Sequence, residues 1–316
     1  MARLIVTGAA GFIGSNLVEA LNARGEHDVI AVDDLKQPDK FRNIADLAIA
    51  DYLDHRAFRE RLRQGDDFGG PVAAVLHQGA CADTTESDGR FMMDNNYEFS
   101  KEVLHWCVHR GVPLVYASSA SVYGNEIDCA EGPDHERPIN VYAYSKLQFD
   151  RYVRRLAPTL RSTVVGLRYF NVYGPRERYK GKMASMVWQL SEQLKNEGIC
   201  RLFEGTDGYA NGEQRRDFVF VADVAAVNLF FAFGGVQTGI FNCGTGRSRS
   251  FNDVAKTIIE KLGRGRIEYV PFPDSLRGKY QSFTEAKIDR LRGAGYEAPM
   301  TTLEEGVRSL LAGGLA

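Results

Sequence analysis

The sequence predicts an α/β fold, a doubly wound parallel sheet with a smaller C-terminal lobe, and three observations support this prediction. Short, nearly continuous apolar runs alternate with longer helical patterns over the first two thirds of the chain. Such runs are buried on both faces, as in parallel sheets that carry helices on each side. After about Asn171, helical patterns and turn residues dominate, which indicates a second lobe. With 316 residues, of which 44% are hydrophobic and 25% charged, the chain can form one large or two modest domains.

The predicted elements follow one another in βα order. An apolar run predicts the first strand at residues 4–7, and a glycine turn and a helix that reaches residue 23 follow it. Later apolar runs predict strands at residues 29–32, 73–76, 114–117, 163–167, 217–221 and 239–242. We therefore expect a first domain over residues 1–170, to which segments near 215–245 return, and a lobe over residues 171–316.

Charge and cysteine content exclude several classes of protein. The 39 Lys and Arg against 41 Asp and Glu leave a net charge of −2, which gives no bulk attraction to nucleic acid or to an anionic membrane. The longest apolar stretch, residues 224–233, is interrupted by Asn228 and is too short to span a bilayer. The first residues enter a strand-like run without a secretory signal, and the five scattered cysteines suit neither a disulfide framework nor a zinc ribbon. A cytoplasmic protein is therefore expected.

A glycine-rich turn between the first predicted strand and helix has the features of a dinucleotide site. Gly8, Gly11 and Gly14 are spaced to allow a tight turn, close approach of a pyrophosphate, and packing of the helix against the strand. The N–H groups at the start of the helix would receive the phosphates. Asp33 ends the second strand, near the offset of about 20 residues expected for an acid that binds the ribose.

The same region leaves the choice between NAD and NADP open. Asp33 can accept a hydrogen bond from a ribose 2′-hydroxyl, which favours NAD. Lys36 and Lys40 follow closely and can neutralise a 2′-phosphate, which favours NADP.

A tyrosine and a lysine four residues apart form the candidate catalytic pair. Tyr142 and Lys146 open a predicted helix that runs to about Arg155, and residues i and i+4 share a helix face. A free phenol with a pKa near ~10 is a poor base at neutral pH, but a neighbouring ammonium is expected to lower that pKa. Tyr142 could then exchange a proton with a substrate hydroxyl while hydride moves to the cofactor. Ser119 follows the strand that begins at Leu114, where its hydroxyl could bond the reacting oxygen.

The order of these motifs resembles one enzyme superfamily. The glycine turn, the Ser-Ser-x-x-Val-Tyr-Gly run at residues 118–124 and the Tyr142-x-x-x-Lys146 pair are similar to those of extended short-chain dehydrogenase/reductases acting on nucleotide sugars. Further strings narrow the resemblance, over nearly the whole chain, to the family of ADP-L-glycero-D-manno-heptose 6-epimerases; they lie at residues 92–97, 168–177, 180–185, 203–205 and 271–274. The resemblance implies a Rossmann-type, NADP-binding first domain and a substrate-binding C-terminal lobe.

The resemblance also implies an activity. Enzymes of this family are isomerases that invert C6 of the heptose in ADP-D-glycero-β-D-manno-heptose, giving ADP-L-glycero-β-D-manno-heptose for the lipopolysaccharide inner core. A hydride leaves the carbon for bound NADP, a ketone forms, and the hydride returns to the other face. By the match, Tyr142 and Lys180 are the two proton-transfer groups, and Lys146 also binds the cofactor. The family further implies a homo-oligomer, a pentamer. From charge, hydropathy and motifs we expect no metal, nucleic-acid or membrane partner.

Contact residues are implied by the same match. Those expected to touch NADP are Gly8, Gly11, Phe12, Ile13, Gly14, Asp33, Asp34, Lys40, Gln78, Gly79, Ala80, Cys81, Ala82, Asn95, Tyr142, Lys146, Val172 and Lys180. Those expected to line the ADP-sugar site are Asn171, Lys182, Gln189, Phe203, Glu204, Gly205, Thr206, Arg216 and Tyr280. Among them, Arg216 is also expected at this site on physical grounds, because a guanidinium binds a diphosphate through paired hydrogen bonds.

Other functions fit less of the sequence. A sugar-nucleotide 4,6-dehydratase usually has an Asp-Glu pair where this chain has Ala120 and Ser121. A UDP-sugar 4-epimerase of the same superfamily is the nearer alternative, and a non-catalytic dinucleotide-binding sensor is an alternative of a different class. His105 and His109 are four residues apart but lack the glutamate of a His-Glu-x-x-His metal motif, so surface or packing roles are expected for them.

Overall fold

The computed structural model describes residues 2–276 and 280–313. Over these residues the strands are β1 (Arg3–Thr7), β2 (Val29–Asp33), β3 (Asp51–Asp54), β4 (Val72–His77), β5 (Leu114–Ser119), β6 (Val164–Tyr169), β7 (Asn171–Tyr173), β8 (Ile199–Phe203), β9 (Arg215–Phe220), β10 (Thr238–Cys243), β11 (Ser248–Ser250) and β12 (Arg266–Val270). The α-helices of the same ranges are α1 (Phe12–Ala23), α2 (His55–Arg63), α3 (Gly89–Met92), α4 (Phe99–Arg110), α5 (Val141–Leu156), α6 (Met186–Glu197), α7 (Val221–Phe233), α8 (Phe251–Leu262), α9 (Asp289–Gly293) and α10 (Leu303–Ala312).

The chain divides into two compact units, and neither is continuous in sequence. The first unit contains the described residues up to Val122, together with Asn140–Arg168 and Ala225–Phe241. The second unit contains Tyr123–Ile139, Tyr169–Val224 and the described residues from Asn242 onward.

A seven-stranded sheet forms the first unit and confirms the predicted doubly wound architecture. Its strand order is β10-β6-β5-β4-β1-β2-β3, and β1 pairs in parallel with both β2 and β4. The pairs β2–β3 and β4–β5 are also parallel. Strand order reverses between β1 and β4, so the chain leaves the carboxyl ends of these neighbouring strands in opposite directions. Sheets of this type bind ligands in the crevice at such a reversal.

The core of the first unit explains why its strands could be found from apolar runs. Residues of β1 and β2 such as Ile5, Ile30 and Val32 are buried on the sheet. Helices α2 and α4 cover them with Phe58 and Phe99, whose rings meet edge to face with centroids 6.2 Å apart. Between α3 and α4 the chain forms a π-helical segment, Met93–Glu98, and segments of this type are frequent at functional sites.

The second unit has two small sheets and its own core. Strand β9 pairs antiparallel with β11 and parallel with β7, while β8 and β12 pair in parallel. Helices α8 and α10 both begin with a capping box, Ser250 with Asp253 and Thr302 with Glu305, which fixes where they start. Their apolar faces pack with α6 in a cluster separate from that of the first unit.

The segments that return to the first unit differ from the expected range. The return covers Ala225–Phe241, whereas β9, which was expected to join the large sheet, pairs within the second unit. The apolar run at residues 217–221 identifies a buried strand, but it does not specify which sheet the strand joins. Residues 123–139, expected in the first domain, also belong to the second unit.

Candidate active site

The glycine turn after β1 is shaped by contacts between backbone atoms. Gly8 has a φ of +66°, in the left-handed region that favours glycine. A Cβ on Gly14 would lie 2.0 Å from the carbonyl oxygen of Gly8, so only glycine allows α1 to pack this closely on the turn. A Cβ on Gly11 would meet the same oxygen at 3.0 Å and little else. No side chain caps α1 at Gly11. The N-terminus of α1 has no side-chain cap, and few atoms lie near Gly11, so the free N–H groups of the helix can bind the pyrophosphate of a dinucleotide.

The acid at the end of β2 is already engaged by groups of its own unit. The Asp33 carboxylate accepts hydrogen bonds from the N–H groups of Ala10 and Asp34, at 2.9 and 2.7 Å, and forms an ion pair with Lys40. Lys40 Nζ also lies 3.6 Å from Asp34 Oδ1. For Asp34, burial raises the pKa, but Lys40, Lys36 and a backbone N–H outweigh that effect and hold the pKa below its usual value. The candidate ribose-binding acids thus lie beside two ammonium groups.

The loop after β4 is held by a buried asparagine. Asn96 Oδ1 accepts from the Cys81 N–H at 2.8 Å, and Asn96 Nδ2 donates to the Cys81 carbonyl at 3.0 Å. The same amide lies 3.0 Å from Ser145 Oγ on α5. The Gly79 N–H donates to Thr7 Oγ1 at the end of β1. The expected contact residue Asn95 is the neighbour of Asn96, and the twin-asparagine sequence is the signal that could have identified both.

The candidate catalytic residues of the first unit converge at the end of β5. The Tyr142 phenol interacts with the Ser119 side chain, and this interaction acts to lower the Tyr142 pKa. Ser119 Oγ is itself approached by Ser121 Oγ at 2.8 Å. One helical turn after Tyr142, Lys146 Nζ donates to the Ala117 carbonyl at 2.9 Å. Asn140 caps α5 by accepting from the Ala143 N–H, which fixes the start of the helix that carries both residues.

The Tyr142 phenol differs from the expectation of a lowered pKa. Burial raises its pKa, because the charged form loses hydration, and the interaction with Ser119 offsets part of that rise. Burial also lowers the pKa of the Lys146 ammonium from 10.5 to about 8, against the attraction of Asp150. The protein alone therefore favours a neutral phenol beside an ammonium that titrates near physiological pH.

In the second unit, Lys180 lies in a turn built around a buried glutamate. Glu177 accepts hydrogen bonds from the Gly174 N–H at 3.0 Å and from the N–H and hydroxyl of Ser185, at 2.6 and 2.8 Å. Burial lowers the pKa of Lys180, and the Glu177 carboxylate opposes that fall. The Gln189 amide donates to the Ala184 carbonyl at 2.7 Å and so fastens the end of the same turn, which contains the exposed Lys182.

Three of the residues expected to bind the nucleotide sugar lie together in the second unit. Arg216 is buried, and its guanidinium lies 4.8 Å from the ring centroid of Tyr280. Within the described part of the chain, no carboxylate lies at ion-pair distance from Arg216, and burial lowers its pKa. The rings of Phe203, Phe272 and Tyr280 pack with centroids 5.3 to 6.5 Å apart. Phe272 was not among the expected contacts, although its Pro-Phe-Pro-Asp string was noted.

The remaining expected contacts differ in exposure. Phe12 and Gly14 are buried, Ala82 is exposed, and Gly8, Gly11, Ile13, Gln78, Gly79, Ala80 and Cys81 are partly exposed. Asn171 and Val172 lie on β7, and Thr284 Oγ1 lies 3.4 Å from Asn171 Oδ1. Glu204, Gly205 and Thr206 follow β8, where a Cβ on Gly205 would lie 2.1 Å from the Tyr209 carbonyl oxygen.

Two further findings concern metals and membranes. Among the described residues, no group of three His, Cys, Asp or Glu side chains could hold a metal ion. His105 Nε2 lies 2.8 Å from the Tyr152 hydroxyl on the surface of the first unit. No helix in the described ranges is long and apolar enough to cross a membrane.

Comparisons with known proteins agree with this geometry. The chain matches the NAD dependent epimerase/dehydratase family over residues 4–244. An ADP-L-glycero-D-manno-heptose-6-epimerase of Alkalilimnicola ehrlichii is 55% identical over 308 residues, which cover 98% of this chain and 96% of that protein.

Solved structures show the same similarity. The crystal structure of Helicobacter pylori ADP-L-glycero-D-manno-heptose-6-epimerase superposes with a TM-score of 0.84 at 30% identity, covering 99% of this chain and 96% of that one. The Thermus thermophilus UDP-glucose 4-epimerase in complex with NAD gives a TM-score of 0.80 at 29% identity, with 98% of each chain covered.

Proposed function

The chain belongs to the NAD dependent epimerase/dehydratase family, and from this membership we propose that it is an NADP-dependent epimerase of an ADP-linked heptose. Its substrate is ADP-D-glycero-β-D-manno-heptose and its product ADP-L-glycero-β-D-manno-heptose, a precursor for the lipopolysaccharide inner core. The 55% identity with a heptose 6-epimerase over nearly the full length of both proteins supports this choice of substrate.

The placement of Tyr142, Ser119 and Lys146 supports an oxidation of an alcohol. Tyr142 interacts with Ser119 at the carboxyl end of β5, and Lys146 follows Tyr142 by one helical turn. A phenol and a hydroxyl that interact with each other can both reach the oxygen of a secondary alcohol. Once the phenol is ionised, this arrangement can remove the proton of that alcohol.

We assign the proton transfers to residues of this chain. The bound dinucleotide supplies the hydride acceptor and donor for C6. With the oxidised dinucleotide bound, the positive charge of the nicotinamide would favour the Tyr142 phenolate, which takes the hydroxyl proton as the C6–H bond breaks. Ser119 hydrogen-bonds the oxygen that becomes the ketone. Lys180, the second proton-transfer group implied by the resemblance, supplies the proton when the alcohol forms again, and burial, which lowers its pKa, makes the ammonium a stronger acid. The sugar returns to its starting oxidation state with C6 inverted.

Arg216 is the proposed diphosphate ligand. A buried guanidinium without a carboxylate partner in the described chain has an uncompensated charge, and a diphosphate can satisfy it with paired hydrogen bonds. The neighbouring rings of Phe203, Phe272 and Tyr280 offer apolar surface for a nucleoside base.

The proposal of NADP rests on Lys40. A lone carboxylate at the end of β2 would repel a 2′-phosphate, but here Lys40 neutralises Asp33 and lies close to Asp34. We further propose a homo-oligomer, a pentamer, that works in the cytoplasm; none of the five cysteines is paired. Light scattering on the purified protein tests the assembly.

The test is incubation of the purified protein with ADP-D-glycero-β-D-manno-heptose, with Tyr142→Phe as the matched variant. We expect an epimerised product without net absorbance change at 340 nm, and a loss of turnover of about 10²–10⁴-fold in the variant. Turnover of UDP-sugars instead would establish the 4-epimerase alternative. A protein that binds dinucleotide equally well in both forms and converts neither substrate would be a sensor.

Mass spectrometry of the cofactor released from the purified protein tests the second part of the proposal. We expect NADP; recovery of NAD alone would contradict the role given to Lys40. Steady accumulation of reduced cofactor during turnover would indicate a simple dehydrogenase.

A further inference from the structure

A buried ion pair lies behind the candidate catalytic lysine. Asp150 follows Lys146 by four residues on α5, so both project from one face of the helix. Arg168, on β6, donates from Nε to Asp150 Oδ2 at 2.9 Å, and both side chains are fully buried. Burying two charges in a core costs desolvation energy, and hydrophobic residues of similar size often give a protein that is at least as stable. The pair therefore calls for an explanation beyond stability.

Strand β5 supplies further donors to the same carboxylate. The Tyr116 hydroxyl donates to Asp150 Oδ1 at 3.0 Å, and Ser118 Oγ donates to Oδ2 at 2.9 Å. Between these two residues, the Ala117 carbonyl accepts from Lys146 Nζ. The carboxylate and the ammonium are thus fixed against three consecutive residues of one strand, and the next residue of that strand is Ser119.

We propose that Asp150 is a positioning residue, held by Arg168, Tyr116 and Ser118, that keeps the buried Lys146 side chain charged and fixed at the end of β5. This inference rests on the proposed function, in which Lys146 acts beside Tyr142 and the dinucleotide. A buried ammonium with one carbonyl acceptor tends to lose its proton, and a fixed carboxylate on the same helix face opposes that loss.

The other groups around Lys146 offer little compensation. Burial lowers the pKa of His77, on β4, to about 3, with Lys146 adding to the effect, so that ring is neutral. Burial raises the pKa of the Cys81 thiol, which therefore carries no charge at neutral pH. Tyr142 is neutral for the same reason. The Asp150 carboxylate is the strongest attraction that opposes the fall in the Lys146 pKa.

The decisive comparison is Asp150→Asn against Ser118→Ala and Tyr116→Phe. The two control variants each remove one hydrogen bond to the carboxylate but leave its charge. In cofactor-free protein labelled with ¹⁵N-lysine, the Lys146 Nζ signal, assigned through Lys146→Met, is followed over a pH titration. We expect the midpoint to fall by about one pH unit or more in Asp150→Asn, and by much less in the controls.

Dinucleotide affinity gives a second readout. At pH 8 we expect NADP to bind about tenfold more weakly to Asp150→Asn than to the unmodified protein, with a difference that narrows at lower pH. If the variant does not fold, because Arg168 has lost the Asp150 carboxylate, Asp150→Asn combined with Arg168→Met removes both charges and is measured in the same way.

An unchanged Lys146 midpoint in the asparagine variants, or equal shifts in the controls, would overturn the inference and assign the pair a purely structural role. Because the ¹⁵N titration uses neither substrate nor cofactor, it is independent of the proposed function. A protein without epimerase activity whose Lys146 midpoint still depends on Asp150 would refute the function and retain the positioning role.

Discussion

Replacement of Gly14 by alanine tests whether the turn after β1 is fixed by packing of the backbone. A Cβ at this position would lie 2.0 Å from the Gly8 carbonyl oxygen, 2.7 Å from the Gly8 carbonyl carbon and 2.9 Å from Ala9 Cα. Ordinary contacts of a Cβ are about 3.4 Å or longer, so α1 would have to move from the turn by more than about 1 Å. Every obstructing atom belongs to the backbone, and no rotamer change can relieve the clash.

The size of the effect follows from two opposing contributions. Alanine inside a helix is preferred over glycine by about 1 kcal/mol, which would stabilise Gly14→Ala if there were room. Overpacking a close contact costs about 1–3 kcal/mol and sometimes more. Since the overlap is severe and rigid, we expect a net loss in the free energy of unfolding of about 2 kcal/mol or more. The same displacement widens the turn and weakens dinucleotide binding.

Gly11→Ala is the matched control. Its Cβ would meet the Gly8 carbonyl oxygen at 3.0 Å, and the backbone there is extended, with φ −76° and ψ 172°, which alanine adopts readily. We expect a loss below about 1 kcal/mol in urea unfolding of the cofactor-free protein, as for an alanine at a helix N-cap. NADP should nevertheless bind at least tenfold more weakly, because the new methyl group occupies the open side of the turn. If Gly14→Ala unfolds at the same urea concentration as Gly11→Ala, the packing argument is wrong.

Three further variants test buried polar groups. Lys146→Met should be more stable than the unmodified protein at pH 7 by up to about 3 kcal/mol, because the pKa of the Lys146 ammonium falls from 10.5 in the unfolded chain to about 8 on folding. This gain in stability should shrink as the pH rises from 8 to 10.5, and equal urea midpoints of the two proteins at pH 7 would contradict it. Tyr173→Phe should leave the thermal midpoint unchanged or raise it, since the buried Tyr173 hydroxyl has no hydrogen-bond partner among the described residues. A clearly lower thermal midpoint would show that this hydroxyl does form a stabilising hydrogen bond. Glu177→Gln should lower the free energy of unfolding in urea by about 1–3 kcal/mol, because an amide cannot accept all three hydrogen bonds that hold the turn containing Lys180. The variant should also have a reduced kcat, and a normal kcat would show that this turn is not needed for catalysis.

Much of the fold could be predicted because burial on both faces is visible in a sequence. Strands β1, β2, β4, β5 and β6 are apolar runs, and each was expected within two residues of its observed bounds. Strand β3, with the sequence Asp-Tyr-Leu-Asp, was missed because it lies at the sheet edge and is largely exposed, so it has no apolar run. Strand β7 has only three residues, which is too short for any pattern.

The site could be predicted where its chemistry follows local spacing. Tyr142 and Lys146 are one helical turn apart, so the sequence alone indicates a shared face. Asp150 continues that spacing but was overlooked, because its partner Arg168 lies on another strand and pairing across a sheet is not visible in a sequence. In the cofactor-free protein the Tyr142 pKa is raised rather than lowered for a related reason, since burial depends on the whole unit.

The discontinuity of the first unit has a consequence for synthesis. Strand β10 pairs with β6, yet residues 170–224, which belong to the second unit, are translated between them. At about 5–20 residues per second, the nascent chain carries β6 as an unpaired sheet edge for several seconds. Exposed edges of this kind template aggregation. A ribosome that pauses before Thr238 would prolong that interval, so codon choice in this stretch should affect the yield of folded protein more than codon choice after it.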